Sequence, residues 1–266
     1  LTHMHHAVGD GWSLFFWLQA QLDGLTAAAS AREPRLKSHA NPRRKSAYSF
    51  KRPSSPFHAP HGSTSPAPPS SARMWTTLTL ERPKTDALPF TYNDLLCAVI
   101  LRSIREWKAS QPASARKRIS LWMPTNIREQ PFSAFGNGAS RIRVYDRFTP
   151  DASLRALATG VREQVNWCKA QGEWNIPVDL MRLTHLPRWL VGGFLKLYAN
   201  RPWVDMGTVM FSHMERFEGS ERLFENVENL AVVAPLDRHH SIAIVAVGFK
   251  GKTSMRVGPV LARVLK

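Results

Sequence analysis

The sequence predicts an α/β protein arranged as an α+β sandwich, and three observations predict it. Runs with strand character alternate with longer runs of helical periodicity over the later two-thirds of the chain. Hydrophobic residues make up 43% of the 266 residues and aromatics 10%, enough to bury a core. A stretch dense in proline, serine and basic residues, 30–73, separates a short first part, 1–29, from a longer last part, 74–266.

Residues 1–9 predict a short strand that runs into His5-His6-Ala7-Val8-Gly9-Asp10-Gly11. Trp12 to Leu25 predicts a helix that is apolar almost all round, through Leu14, Phe15, Phe16, Trp17, Leu18 and Leu22, and so calls for burial. Gly24 supplies its stop signal. Residues 30–73 hold eight prolines, at 34, 42, 53, 56, 60, 66, 68 and 69. Between Arg32 and Arg52 there are also eight basic residues against the single acid Glu33, so a basic linker with little regular structure is expected.

Trp75 to Leu80 is rich in strand formers. Thr91-Tyr92-Asn93-Asp94 has the spacing of a capping box, with Thr91 as N-cap and Asp94 reaching back. Tyr92, Leu95, Leu96, Val99, Ile100, Ile104 and Trp107 then recur at helical spacing. Ile119 to Met123 predicts a strand that the chain leaves at Pro124, and Phe135-Gly136-Asn137-Gly138 a turn before a strand from Ala139 to Tyr145. Leu154 to Ala170 is amphipathic with helical period, and Leu180 to Ala199 reads as helix with breaks. Short strands are expected at Val209–Ser212, Leu230–Ala234, Ile242–Phe249 and Thr253–Val257, the last two joined by a turn at Lys250-Gly251-Lys252.

Composition narrows the function classes. Two cysteines, Cys97 and Cys168, are too few for a disulfide framework or a cysteine zinc site, and Cys97 sits among apolar helical residues as a buried thiol would. A reducing, cytoplasmic compartment fits. No uncharged apolar run reaches the ~18 residues of a membrane span, since the longest, Leu186 to Asn200, is cut by Arg188 and Lys196. The net charge of +16 attracts polyanions, among them CoA phosphates, an acidic carrier protein, anionic lipid headgroups or nucleic acid. A peripheral contact with lipid stays open, whereas no nucleic-acid-binding module is present to make specific nucleic-acid recognition the expectation. There is no GxSxG elbow, P-loop or dinucleotide fingerprint.

The segment 5–11 carries the sharpest chemistry. Neighbouring histidines on a strand point to opposite faces, so one of the pair can enter a cleft while the other packs. An imidazole titrates near neutrality, as a general base must. Asp10 stands where strand would turn to helix and can cap it, and Gly11 removes the Cβ that would crowd that corner. His3, His5 and His6 do not have the spacing of a metal-ligand set, and no metal is expected.

HHAVGDG resembles the HHxxxDG motif of the CoA-dependent acyltransferase superfamily, which includes chloramphenicol acetyltransferase, the condensation domains of nonribosomal peptide synthetases and the bacterial wax ester synthase/diacylglycerol acyltransferases. YNDLLCAVILRSIREW, ISLWMPTNIRE, the FGN at 135–137 and SIAIVAVGFKGK resemble further segments of that superfamily in the same order. The resemblance implies a chloramphenicol acetyltransferase-like fold, with 1–29 a remnant of the N-terminal lobe, 30–73 a linker and 74–266 the C-terminal lobe. A long stretch precedes the motif in the superfamily, so the chain is expected to be the later part of such a protein, folding more securely from about Trp75 onward.

The resemblance also implies the chemistry. His6 would be the general base that takes a proton from the acceptor, with His5, Asp10 and Gly11 as structural members of the motif. Ser212 would lie near the reaction tunnel, as an oxyanion donor or loop support, and Arg128 is a candidate partner for Asp10. The donor would be a co-substrate, acyl-CoA or acyl-phosphopantetheine on a carrier protein, with no bound cofactor, and the acceptor an alcohol or amine. Ester formation to a hydroxyl is preferred on the YNDLL helix. The alternatives are a condensation-type, amide-forming protein and a non-catalytic remnant that binds a carrier protein.

Overall fold

A computed structural model describes residues 76–83, 87–109, 119–126, 139–147, 149, 151–170, 187, 189–190, 192–193, 208–214, 230, 232 and 242–258. Its regular elements are β1 (Thr76–Glu81), α1 (Tyr92–Ala109), β2 (Ser120–Asn126), β3 (Ala139–Tyr145), α2 (Leu154–Ala170), β4 (Val209–Met214), β5 (Ile242–Phe249) and β6 (Lys252–Val257). The expectations for residues 1–29 and for the linker 30–73 fall outside the described residues.

The start of α1 is written in the sequence. The Thr91 N–H donates to Asp94 Oδ2 at 2.8 Å and the Thr91 hydroxyl to the same oxygen at 2.6 Å. The Asp94 N–H returns a bond to Thr91 Oγ1 at 3.3 Å. Two donors that a helix start leaves over are thereby satisfied. Leu96, Cys97, Ile100, Leu101 and Ile104 then bury one face of the helix. Helix α2 opens on Ser153, whose Oγ accepts the Ala156 N–H at 3.2 Å. Its buried positions Leu157, Ala158, Val161, Gln164, Val165 and Cys168 follow the helical period.

The strands form one six-stranded sheet in the order β1-β6-β5-β4-β2-β3. Neighbours pair antiparallel except for β5 with β4 and β4 with β2, which are parallel. Strand alternation sorts the side chains. Leu121, Met123, Ile142, Val144, Val209, Phe211, Ile242, Ile244, Met255 and Val257 share one face and join the residues of α1 and α2 in a single apolar cluster. On the other face Trp122, Ala243, Val245, Val247 and Met214 are buried too. Burial on both faces is what parallel pairing at the centre of a sheet demands.

Three polar devices fix the geometry. Gln164 accepts the Tyr145 N–H and donates to the Tyr145 carbonyl, both at 3.0 Å, so α2 satisfies the end of the edge strand β3. Arg105 of α1 clasps the Asp146 carboxylate with Nε at 2.8 Å and with Nη2, and reaches the Thr149 carbonyl at 2.9 Å. Ser120 and Thr208 tie the starts of β2 and β4, through Thr208 N–H to Ser120 O at 2.9 Å and Ser120 N–H to Thr208 Oγ1 at 3.1 Å. The β5–β6 hairpin turns on Lys250 (φ 45°) and Gly251 (φ 77°), the pair of positive φ angles that a two-residue type I′ turn needs.

Three expectations change. Strand β2 continues through Pro124 to Asn126, because β3 pairs with it along its whole length while β4 pairs only at Leu121 and Trp122. Outside the β4 ladder a residue without an N–H is tolerated. Strand β4 runs on past Ser212 to Met214, since its parallel ladder with β5 extends to Met214↔Val247. Leu230 and Val232, the described residues of the expected strand 230–234, are not in a strand. That segment is apolar, and apolar runs of this length specify burial more firmly than they specify strand.

Candidate functional site

Ser212 is the one site residue expected from the sequence that falls within the described residues. His5, His6, Asp10, Gly11 and Arg128 lie outside them. Ser212 is half-buried in the interior of β4, on the sheet face turned away from α1 and α2. Its place follows from the strand period. Val209 and Phe211 enter the helix-side core, so Met210 and Ser212 must face the other way.

Register builds the surroundings of Ser212 one strand at a time. Ser212 pairs with Val245 of β5, and Val245 with Arg256 of β6. On the other side the ladder between β4 and β2 ends at Met210↔Trp122, two residues before Ser212, and Trp122 pairs with Arg143 of β3. A row across this face therefore reads Arg256, Val245, Ser212. Val245, between the serine and Arg256, is buried, at 2% exposed.

The two arginines differ. Arg141 lies over the Trp122 ring at 3.7 Å, and Arg143 approaches the same ring at 5.5 Å while its Nη1 donates to the Tyr145 hydroxyl at 3.2 Å. Stacked guanidinium groups of this kind are held in place by the ring quadrupole. Arg256 is half-buried, and its Nε is inaccessible to solvent and donates no hydrogen bond. Neither the Arg/Trp/Tyr ladder nor Arg256 was singled out in the sequence. The alternations Arg141-Ile142-Arg143-Val144-Tyr145 and Ser254-Met255-Arg256-Val257 hold the signal, since each puts polar residues at every second position.

A second polar region lies on the helix side. A groove of about 640 Å³ opens at the amino end of α1, lined by Arg82, Tyr92, Asp94, Thr125, Arg162 and Lys169 among others. Arg162 Nη1 stands 3.5 Å from Asp94 Oδ2. His213, also not anticipated, sits close by on the helix side of β4, edge-on to the Tyr92 ring at 5.7 Å and stacked on Phe211 at 6.3 Å.

Neither cysteine offers a nucleophile. Cys97 is fully buried, with Sγ 3.0 Å from the Met123 sulfur, and burial, reinforced by the Asp94 charge, pushes its thiol well up. Cys168 is buried and donates weakly to the Arg143 carbonyl at 3.5 Å. Among the described residues no three His, Cys, Asp or Glu side chains converge as a metal would need, and no helix is long and apolar enough to cross a membrane.

No protein-family model matches the sequence, and no curated protein matches it. Solved structures do match the fold. The first condensation domain of the CDA synthetase superposes with a TM-score of 0.54 at 12% identity, over 96% of this chain and 56% of that one. Vinorine synthase gives 0.51 at 15% identity, over 97% and 58%. A four-domain nonribosomal peptide synthetase gives 0.50 at 13% identity, over 96% of this chain and 21% of that one. The chain thus spans a little over half the length of the first two. At these identities the likeness is one of fold, and its terms agree with the observed mixed sheet carrying two helices on one face. The chain has a chloramphenicol acetyltransferase-like fold, the one it shares with that condensation domain and with vinorine synthase.

Proposed function

We propose that the protein belongs to an acyltransferase that moves an acyl group from a pantetheine thioester, on CoA or on a carrier protein, to a hydroxyl acceptor. One observation carries this reading: the sequence HHAVGDG at residues 5–11 in a chain with this fold. His6 takes the proton from the acceptor as it attacks the thioester carbonyl, and the departing thiolate is protonated in turn. Such general-base help contributes about 10²–10⁴ in rate. His5 packs on the opposite strand face, and Asp10 and Gly11 shape the corner that aims His6, with Arg128 as the candidate partner of Asp10. Ser212 donates a hydrogen bond to the oxygen on which negative charge develops.

A condensation-type reaction, with an amine acceptor and a carrier-protein donor, is the second reading. The likeness to the CDA synthetase condensation domain favours it. The test is to incubate the chain with acyl-CoA donors of graded length and with alcohols or amines, following free thiol release and identifying the product by mass. Ester products support hydroxyl transfer, and amide products support the second reading. Thiol release no faster than buffer refutes both and favours a non-catalytic protein that binds a carrier protein.

A further inference from the structure

The two edges of the sheet are finished differently. On β3 the Gln164 side chain bonds both backbone groups of Tyr145, and Arg141 and Arg143 are drawn to the Trp122 ring. Among the described residues β1 carries no such device. It pairs there only with β6, through six unbroken pairs from Thr76↔Val257 to Glu81↔Lys252, so its outer edge is continuous and has no bulge. Thr76–Glu81 holds no proline and no lysine. Leu78 and Leu80 are 47% and 38% exposed on the face where Leu78 pairs with the core residue Met255, so the helices leave them uncovered. An unguarded edge with outward N–H and C=O groups and apolar side chains is a template for another strand.

We infer that two copies of the chain pair antiparallel along β1, in a register centred on Thr79, and join two sheets of six strands into one of twelve. Pairing about a two-fold axis keeps each sheet face continuous only if opposed residues point to the same side. The centred register does this. It sets Leu78 opposite Leu80 of the second copy, and Leu80 opposite Leu78, so four leucines make one apolar row on the helix side. On the other face Thr79 meets Thr79 and Thr77 meets Glu81, pairs that suit a sheet surface. Moving the register by two residues would set Leu80 opposite Leu80 but leave Leu78 facing Arg82. Charge is matched as well. Thr77 pairs with Arg256 within one copy, so Glu81 of the second copy enters the row of Arg256. Two strand spacings, about 10 Å, separate their Cα atoms, with only the small Thr77 between. The Glu81 side chain is 80% exposed, and its 3.7 Å contact with Lys252, itself 61% exposed, is a weak surface pair that does not hold it. One strand pair is a small contact beside the ~1,200–2,000 Å² of stable interfaces, so association belongs at micromolar concentration or above.

Sedimentation equilibrium of the full chain from about 1 µM to about 1 mM should show monomer passing to dimer. Leu78→Lys combined with Leu80→Lys should weaken the dimer by about tenfold or more, because both apolar pairs become like-charge pairs. Both side chains are exposed, so the melting temperature of the monomer should hold. Leu78→Lys combined with Leu80→Glu places opposite charges in each pair and should recover association. Thr79→Cys reads the register: its thiol meets its own copy across the axis within disulfide reach, whereas Thr77→Cys faces Glu81. Cys97 and Cys168 are buried, so oxidation with copper–phenanthroline should give a covalent dimer from Thr79→Cys and little from Thr77→Cys. A chain that stays monomeric to about 1 mM would overturn the inference, whatever covers the leucines. So would a dimer undiminished by Leu78→Lys with Leu80→Lys, or a covalent dimer formed as readily from Thr77→Cys as from Thr79→Cys.

Discussion

Replacing Asp94 with alanine should destabilise the protein by about 3 kcal/mol. Its Oδ2 accepts from both the backbone and the hydroxyl of Thr91, and hydrogen bonds to a charged acceptor are worth roughly 1.5–3 kcal/mol each. The cap is worth ~1 kcal/mol by itself, but it overlaps with those bonds and is not added to them. Arg162 adds little, because its side chain is 35% exposed and a pair at 3.5 Å is screened there. Oδ1 is buried without a hydrogen bond, so removing the carboxylate also removes an unmet desolvation cost, which brings the loss down from the sum of the two bonds. In a chain of this size ~3 kcal/mol corresponds to a melting temperature lower by about 6–12 °C. Urea titration followed by circular dichroism measures it, with the slope m unchanged. Asp94→Asn keeps an acceptor and should lose only about half as much. Thr91→Ala combined with Asp94→Ala should fall well short of the sum of the singles, since both remove the same bonds. A loss below ~1 kcal/mol for Asp94→Ala, with m unchanged, would refute the account of α1 as a helix anchored by its capping box.

The Cys97 thiol is pushed up by burial and by the Asp94 charge, so it stays protonated in the fold and ionises first in the unfolded chain. Stability should be full below the ordinary thiol value of about 8.5 and fall as pH rises beyond it; Cys97→Ala should flatten that alkaline decline in thermal melts, and a decline of unchanged steepness would count against it. Gly251→Ala should cost about 1 kcal/mol, although nothing stands within 4 Å of the new Cβ, because φ is 77° there; denaturation midpoints decide this, and an unchanged midpoint contradicts the turn type. For the proposed reaction, His6→Ala should lower turnover by about 10²-fold or more in an active form, whereas His5→Ala should show itself mainly in the melting temperature; equal thiol release from wild type and His6→Ala would remove the mechanism. Asp10→Asn should lower melting temperature and turnover together if Asp10 caps the corner, and lost turnover with an unchanged melt would instead give Asp10 a direct part in the chemistry.

What the sequence determined by itself is local. Thr91 and Asp94 lie three residues apart, so the bonds that start α1 close within one turn and are legible as letters. The boundaries of β3, α2 and β5 are legible for the same reason, because the period of apolar residues states both the element and its buried face. Lys250-Gly251 announces a hairpin through the one residue type at ease with positive φ. The motif at 5–11 also speaks through spacing alone. Only the tertiary structure decided which strands are neighbours. Strand β4 sits between β5 and β2 and runs parallel to both, a choice made by burial of both sheet faces that no local spacing encodes. Pairing with β3 carried β2 through Pro124, and the ladder with β5 carried β4 beyond Ser212, where the sequence had ended each strand at its polar or imino residue. Strand pairing also put Arg256 on the row of Ser212, 44 positions away along the chain. Arg256 reads in sequence as one more solvated charge among many, and only the pairing of three strands shows it half-buried on one row with Val245 and Ser212.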